Sequence, residues 1–360
     1  MAGLNSSVEP SFWKGKKVFL TGHTGFKGGW LSLWLSSMGS VVKGFSLPPD
    51  TTLSLFNAAK ISSLMDSEFG DIRDLQNLSK SMKAFNPDIL IHMAAQPLVR
   101  LSYKEPISTY STNVMGTVNV LESAKHCQNL KAILSVTTDK CYDNKEWEWG
   151  YRENEPMGGH DPYSSSKACA ELVTAAYRNS YFNGKDKANV ATARAGNVVG
   201  GGDWSEDRLI PDFIRAVSIG EKVKIRNPRA IRPWQHVLEP LSGYLMLSER
   251  LYNDGEAYAE AWNFGPDDSQ TINVEAIIND ICAQWGEGAV YEIEEKNDLH
   301  EAKYLKLDCS KAKTRLNWQS KMNMNTTIKL IVDWHKTFEQ SPDRTREITE
   351  HQIKQFLNIQ

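Results

Sequence analysis

The stretch "KKVFLTGHTGFKGGWLSLWL", residues 16–35, decides the fold class. An apolar run ends in a turn that carries Gly22, Gly25 and Gly28, and a segment with helical periodicity follows at once. Glycines at this spacing let the backbone turn sharply and approach a phosphate, while the helix N-terminus offers free N–H groups. In this strand–turn–helix context, the G-x-x-G-x-x-G pattern predicts a dinucleotide site in the first βαβ unit.

The same alternation of strand and helix continues through the first 200 residues. Strands are predicted at 16–22, 40–46, 67–72, 88–95, 131–138 and 189–199, and helices lie between them, as at 28–39, 109–126 and 164–182. Apolar strands separated by helices predict an α/β fold with a doubly wound parallel sheet, and with the glycine turn they predict a dinucleotide-binding Rossmann fold. Ligands of such sheets bind at the carboxyl ends of the strands.

Beyond residue 200 the alternation loosens and Trp, Pro, Gly and Arg become frequent, with helical patterns at 236–252, 273–284 and 324–338. We therefore expect a smaller C-terminal substrate-binding lobe over the carboxyl edge of the sheet. The expected division is 14–200 for the dinucleotide domain, joined by segments within about 230–275, and mainly 201–355 for the lobe.

Composition excludes several classes of function. A net charge of -3 argues against a nucleic-acid partner, which needs a clustered basic face. The N-terminal segment lacks the apolar core of a signal peptide and no run reaches transmembrane length, so we expect a soluble, cytoplasmic protein without a membrane partner. Five widely spaced cysteines fit reduced thiols, and eight scattered histidines lack metal-ligand spacing, so no metal is expected.

One basic cluster, "KVKIRNPRAIR" from Lys222 to Arg232, has two interpretations. It is either a solvated loop or a local phosphate site. For Arg226 and Arg229 the two interpretations remain equally open.

The segment "PYSSSKA" places Tyr163 and Lys167 at i, i+4 spacing, hence on one helix face. Tyrosine has an ordinary pKa of about 10, too high for a base at neutral pH. A nearby ammonium and the positive nicotinamide of an oxidised cofactor would lower that pKa. Thr138, at the end of the neighbouring strand, can share the proton of a substrate hydroxyl.

The segment "SVTTDKCYD", Ser135 to Asp143, sets a carboxylate and an amine directly after a strand. Asp139 and Lys140 form either a surface ion pair, which is common at turns, or a proton-handling pair. The position at the carboxyl edge of the sheet, beside Thr138, favours the second interpretation.

Candidate cofactor ligands follow the strand ends. The second strand ends in Ser46 without the acid that reads a ribose hydroxyl, so the preference for NAD over NADP is weak on this ground. Asp71 and Ile72 could flank an adenine, and "MAAQ" (93–96) permits close backbone approach. The predicted cofactor-binding residues are Gly22, Thr24, Gly25, Phe26, Lys27, Gly28, Ser46, Asp71, Ile72, Ala94, Ala95, Gln96, Thr137, Tyr163 and Lys167.

Four segments together resemble the nucleotide-sugar branch of the extended short-chain dehydrogenase/reductase family: "TGHTGFKG", "TNVMGTVNVLESA", "PYSSSKA" and "RAGNVVGGGDW". The resemblance covers about residues 14 to 340. Within the branch, "GHTGFKGGWLSLWL", "SVTTDKCYDN" and "RPWQHVLEPLSGYL" are similar to the lyases that act on CDP-glucose. The resemblance implies bound NAD, oxidation at C4, loss of water from C5 and C6, and hydride return to C6. The product would be CDP-4-keto-6-deoxyglucose, for deoxysugar biosynthesis.

The resemblance also implies roles for the catalytic candidates. Tyr163 would be the base at the C4 hydroxyl, Lys167 its tuner and a ribose ligand, and Thr138 its hydrogen-bond partner. Asp139 would act as acid toward the leaving C6 hydroxyl and Lys140 as base toward the C5 proton. Relatives that act on dTDP-glucose carry Asp then Glu at this place, so the lysine fits the CDP-specific type.

For the substrate, the resemblance assigns Asn197, Arg208 and Arg232 to the diphosphate or nearby backbone. A bidentate arginine suits phosphate geometry. Gln96 and Arg100 are expected to contact the sugar or to close the site.

Two alternatives stay open at this stage. Another nucleotide-sugar dehydratase or a C4 epimerase would share the scaffold, although an epimerase has no use for Asp139 and Lys140. A non-catalytic NAD sensor would keep the glycine turn and lose Tyr163 or Lys167. The apolar faces of 109–126 and 164–182 permit a homodimer or homotetramer, as in family members.

Overall fold

A seven-stranded parallel sheet forms the centre of the protein. The computed structural model describes residues 7–225, 227–267, 272–294 and 304–359. The sheet order is β3-β2-β1-β4-β5-β6-β11, with every neighbouring pair parallel. Its strands are β1 (Lys17–Thr21), β2 (Val41–Ser46), β3 (Asp66–Phe69), β4 (Ile89–His92), β5 (Ala132–Val136), β6 (Asn189–Ala195) and β11 (Ala261–Phe264). The predicted doubly wound fold is confirmed.

The remaining strands are short and pair outside the central sheet. They are β7 (Val198–Val199), β8 (Val223–Ile225), β9 (Ile231–Arg232), β10 (Gln235–His236), β12 (Ile272–Asn273) and β13 (Tyr291–Ile293). They form three two-stranded ribbons, β7 with β10, β9 with β12 and β8 with β13.

Helices cover both faces of the sheet and build the lobe. The helices are α1 (Pro10–Trp13), α2 (Phe26–Ser37), α3 (Leu55–Ala58), α4 (Leu75–Phe85), α5 (Val99–Lys104), α6 (Pro106–Tyr110), α7 (Gly116–Ala124), α8 (Pro162–Tyr181), α9 (Leu209–Ser218), α10 (Leu238–Asp254), α11 (Val274–Trp285), α12 (Met324–Gln340) and α13 (Thr345–Leu357). None of the helices in the described ranges is long and apolar enough to cross a bilayer.

The period-2 alternation of the strands separates two cores. In β1, Val18 and Leu20 face the core shared with α2 and α10, while Phe19 faces the core shared with α4 and α7. Burial on both faces explains why the strands read as continuous apolar runs. The two cores fix the sheet and leave its carboxyl edge to carry ligands.

A third core lies in the lobe, among α9, α11, α12 and β8. The end of the chain returns to the dinucleotide half, where the rings of Phe356 in α13 and Trp34 in α2 meet at 5.8 Å. Strand β11 likewise comes from beyond residue 230 and extends the central sheet beside β6. The domain limits stay a prediction.

The helix predicted at 109–126 is divided in the structure. A π-helical turn, Ser111–Met115, separates α6 from α7. Within it, the Asn113 side chain donates to the Gln96 carbonyl (3.1 Å) and to Ser166 Oγ (2.9 Å). Such turns often occur at functional sites. Here the turn links the loop after β4 to α8.

Candidate active site

One large cavity lies at the carboxyl edge of the central sheet, with a volume of about 860 Å³. Its walls come from the glycine turn, the ends of β2, β4 and β5, the start of α8 and the residues around α9. Of the residues predicted for catalysis, cofactor and substrate, all except Gln96 line it. The fold therefore brings the predicted site together in one place.

The glycine turn between β1 and α2 has the geometry of a close-approach site. Gly22 has φ +80°, and a Cβ there would lie 2.7 Å from the Ala94 nitrogen. A Cβ on Gly28 would lie 2.0 Å from the Gly22 carbonyl oxygen. Gly25 caps α2 without a side-chain hydrogen bond, so the first N–H groups of α2 are left for a ligand. These residues fit the pyrophosphate of a dinucleotide.

Elsewhere along the cavity wall, the hydroxyls of Ser46 and Thr24 form a hydrogen bond of 2.9 Å. Asp71 accepts hydrogen bonds from Arg73, and this contact, against the effect of burial, holds the pKa of the Asp71 carboxyl below its ordinary value. Ile72 is buried against Gly116, where a Cβ would collide with its side chain. Asp71 and Ile72 follow β3 and lie at the cavity wall, where an adenine could be placed.

Tyr163 and Lys167 occupy the first two turns of α8. Asp161 caps this helix by accepting from the Ser164 N–H (2.9 Å), and Pro162 starts it. Lys167 Nζ donates to the Val136 carbonyl at the end of β5 (3.2 Å). The Tyr163 hydroxyl bonds to Thr138. The helix therefore sets both side chains against the strand end that carries Thr138.

The expected lowering of the Tyr163 pKa does not occur in the chain alone. Burial raises the pKa of Tyr163 to about 12, although the Thr138 hydrogen bond and the Arg208 charge oppose the rise. Burial also lowers the pKa of Lys167 to about 8, against the influence of the Glu171 carboxylate. The dry surroundings of the phenol outweigh the nearby cations, so a phenolate here requires charge that the chain does not supply.

Asp139 and Lys140 do not form a surface ion pair. Asp139 is fully buried, and its Oδ1 accepts from the Thr138 hydroxyl at 3.0 Å. Its Oδ2 is buried and has no hydrogen-bond partner within the described ranges, although Asp139 is one of the residues that line the cavity. A Cβ on Gly196 would lie 1.9 Å from Oδ2, so only glycine leaves room for this carboxyl. Lys140 is half-buried and also lines the cavity.

A buried ion pair lies next to both segments that carry the candidate catalytic residues. Arg194 of β6 donates from Nε to Glu171 Oε1 (2.8 Å) and from Nη2 to Oε2 (2.9 Å). Glu171, one turn beyond Lys167 in α8, also accepts from Thr137 and Thr192. Despite burial, Arg194 holds the pKa of Glu171 below its ordinary value. The pair ties α8 to the ends of β5 and β6.

The arginines predicted for the substrate have partners within the protein. Arg208 pairs with Asp203 at 2.9 Å and Arg100 with Asp207 at 3.7 Å. Asp207 precedes α9 whereas Arg100 belongs to α5, so the second pair joins the two sides of the cavity. Both arginines also line the cavity.

The other substrate candidates differ in their placement. Arg232 donates to the Ile231 carbonyl (3.0 Å) and lines the cavity, as does Asn197, whose φ is +35°. Gln96 does not reach the cavity, because its amide binds the Leu98 backbone and Thr109. Arg226 lies outside the described residues. Arg229 is exposed and is not one of the residues that line the cavity.

Two features of the site were not predicted. Lys27 lines the cavity with a charged side chain, whereas the sequence indicates only its place in the glycine turn. Tyr244 of α10 buries a hydroxyl that has no partner among the described residues, close enough to Asp139 and Tyr163 to interact electrostatically. The position of Lys27 in the first turn of a phosphate-facing helix is a signal that the sequence offers. No feature of the sequence singles out Tyr244.

The sheet order, the glycine turn and the Thr–Tyr–Lys arrangement define a dinucleotide-binding protein of the extended short-chain dehydrogenase/reductase class. The family model described as GDP-mannose 4,6 dehydratase matches residues 19–331, so the chain belongs to that family.

The chain is 54% identical to CDP-glucose 4,6-dehydratase of Salmonella typhimurium over 352 residues, which cover 96% of this chain and 98% of the relative. Two solved structures share the fold. A UDP-glucose 4-epimerase from Stenotrophomonas maltophila with bound NAD and formylated UDP-arabinopyranose has a TM-score of 0.79 at 19% identity, covering 91% of this chain and 99% of the other. A dTDP-glucose 4,6-dehydratase from Bacillus anthracis in complex with NAD has a TM-score of 0.75 at 21% identity. The match covers 91% of this chain and 98% of the other.

Proposed function

We propose that this protein is a lyase that catalyses the NAD-dependent 4,6-dehydration of CDP-glucose. The observation that carries the proposal is the pair Asp139–Lys140, set beside Thr138 in the same cavity as Tyr163 and Lys167. A plain dehydrogenase or a C4 epimerase needs one proton-transfer centre, whereas the residues at this cavity would provide two. The relationship to the Salmonella typhimurium enzyme supports the choice of reaction and of CDP-glucose.

The residues present fit NAD. The turn at Gly22, Gly25 and Gly28 leaves space and N–H donors for the pyrophosphate, and Asp71 and Ile72 stand at the adenine end. NAD bound there would accept the C4 hydride and later supply the hydride to C6. The nucleotide-sugar would occupy the side of the cavity toward α9, with Asn197, Arg208 and Arg232 facing its diphosphate.

Tyr163 serves the redox step as the base for the C4 hydroxyl. Its hydroxyl bonds to Thr138, which can pass or share the substrate proton. Lys167 is held by the Val136 carbonyl, so its ammonium is fixed beside the strand end. The positive charge of an oxidised cofactor would supply the remaining electrostatic stabilisation that the phenolate of Tyr163 lacks in the chain alone.

Asp139 and Lys140 serve the elimination. The C4 ketone acidifies the C5 proton, which Lys140 removes from its half-buried place at the cavity wall. Asp139, which also lines the cavity, would donate a proton to the leaving C6 hydroxyl. The Thr138 hydroxyl on Oδ1 orients the carboxyl for this transfer.

The experiment is incubation with CDP-glucose and NAD in D₂O, with the product followed by mass spectrometry and NMR. We expect the loss of one water, one deuterium at C5 and no net NADH. Stoichiometric NADH would instead identify a dehydrogenase, and a product of unchanged mass an epimerase. A protein that binds NAD and converts nothing would be the sensor. A parallel series with dTDP-, UDP- and GDP-glucose tests the nucleotide, and a faster rate with any of them would displace CDP-glucose.

We also propose that the enzyme works as a homo-oligomer paired through α8 and the helices before it. Large apolar side chains are exposed there, with Ile107 84%, Met115 52% and Leu172 60% exposed. Sedimentation equilibrium should give a dimer or tetramer, and Leu172→Glu should shift it toward the monomer. A monomeric wild type would contradict this proposal.

A further inference from the structure

Lys27 stands at a place where a cation is disfavoured. It belongs to the first turn of α2, which contains no acidic residue, and the N-terminus of a helix is its positive end. Its side chain is half-buried at the cavity wall, and no described residue forms an ion pair with it. Within the described ranges, no side-chain hydrogen bond explains a lysine at this position either.

The charges that face Lys27 lie at the catalytic end of the cavity. Asp139 and Asp203 attract the ammonium, whereas Lys167 and Arg208 repel it. The Nζ atom lies 6.0 Å from the centre of the Tyr244 ring. The backbone of Lys27 thus belongs to the turn that fits the pyrophosphate, while its ammonium lies near the Tyr244 ring and is influenced by the charges of Asp139 and Lys167.

A positive charge at this end of a dinucleotide site distinguishes the two redox states of the cofactor. The oxidised nicotinamide ring is a cation and the reduced ring is neutral, so only the oxidised ring is repelled. Charges several ångströms apart inside a protein still interact appreciably, because the effective dielectric constant is well below that of water. A charge placed near the pyrophosphate alone would affect both redox states equally.

Building on the proposed function, we propose that the Lys27 ammonium increases the oxidising strength of bound NAD and so favours oxidation of the substrate at C4. In that step the C4–H bond breaks and its electron pair passes to the nicotinamide ring. The hydroxyl proton goes to Tyr163, the alcohol becomes a ketone and NAD becomes NADH. Lys27 takes no part in bond making; it raises the energy of the oxidised ring.

The electrostatics of the side chain agree with this role. Burial, with the charges of Arg208 and Lys167, lowers the pKa of Lys27 to about 7. Its protonation therefore responds to a further charge in the cavity near neutral pH. Loss of the ring charge on reduction would increase the protonated fraction and add to the stabilisation of the reduced state.

The test is the ratio of dissociation constants, Kd for NAD divided by Kd for NADH, measured by fluorescence or calorimetry without substrate. We expect the ratio to fall about five- to tenfold in Lys27→Met, and tenfold corresponds to about 30 mV for a two-electron couple. Lys27→Gln should give the same fall if the methionine variant does not fold. Lys43→Met is the matched control, because Lys43 in β2 is paired with Asp66 and Glu68.

Equal weakening of NAD and NADH binding would show that Lys27 only anchors the dinucleotide and would overturn the proposal. An unchanged ratio in both variants would overturn it too. Failure of the proposed function would be seen in a different measurement. If the wild type binds both dinucleotides but does not dehydrate CDP-glucose, the ratio of dissociation constants can still be measured.

Discussion

The two acid–amine pairs of the cavity, Tyr163–Lys167 and Asp139–Lys140, are built in opposite ways. The first lies on one face of the regular helix α8, so helical geometry sets the spacing of its members. The second lies in a single 3₁₀ turn, Asp139–Cys141, in which Asp139 is fully buried and Lys140 is half-buried. In the proposed mechanism, a scaffold that supports redox chemistry gains a second proton-transfer centre from three residues after a strand.

The largest expected effect comes from removing the base of the first pair. Tyr163→Phe should lower kcat for CDP-glucose by about 10⁴-fold, because C4 oxidation precedes every later step. NAD binding should change little, and no NADH should form in a single turnover. Tyr177→Phe, on the same helix and bonded to Glu122 near the surface, is the control. Residual NADH formation at the wild-type rate would place the base elsewhere.

Removing the amine of the second pair should have a smaller effect on turnover and none on oxidation. Lys140→Met should slow water loss by about 10³-fold, because the C5 proton loses its base. Rapid-quench analysis of the sugar gives both rates, and Lys125→Met, a surface residue paired with Glu122, is the control. Equal slowing of C4 oxidation and water loss would show that the two pairs do not have separate functions.

The shared support beneath the pairs predicts an effect on stability. Glu171→Gln should lower the free energy of unfolding by about 3 kcal/mol, because it leaves the buried Arg194 without its counter-charge. Urea denaturation measures the change. Glu122→Gln, which breaks the partly exposed pair with Lys125, should cost less than about 1 kcal/mol. Similar costs for the two variants would show that the pair at Glu171 is not a structural support.

The smallest effect should follow loss of the hydrogen bond between the two pairs. The Thr138 hydroxyl lowers the pKa of Tyr163, so Thr138→Val should raise it. Because the phenolate is the active base, the rising limb of the pH–rate profile should move to higher pH. One pKa unit would cost about tenfold in rate at neutral pH. A profile displaced toward lower pH would contradict this direction.

The sequence predicted those parts of the site that local geometry determines. The turn at Gly22, the i, i+4 relation of Tyr163 and Lys167, and the strand end before Asp139 depend on neighbouring residues, and the structure has each where expected. The central sheet was predictable for the same reason, since continuous apolar strands alternate with helices.

Features that depend on contacts between distant segments could not be predicted. Gln96 binds Thr109 rather than reaching the cavity, and Arg100 pairs with Asp207 across it. The pKa of Tyr163 depends on how completely the cavity excludes water, which no pattern of residues reveals. The Asp139 carboxyl packs against Gly196, a residue far along the chain, and its Oδ2 has no partner among the described residues.

The most direct test of the account is a single turnover of Lys140→Met, loaded with NAD and mixed with CDP-glucose while NADH absorbance is followed. If Lys140 serves only the elimination, NADH forms near the wild-type rate and persists, together with the 4-keto sugar that has not lost water. A variant that forms no NADH, or that dehydrates CDP-glucose as fast as the wild type, would contradict the separation of oxidation from elimination.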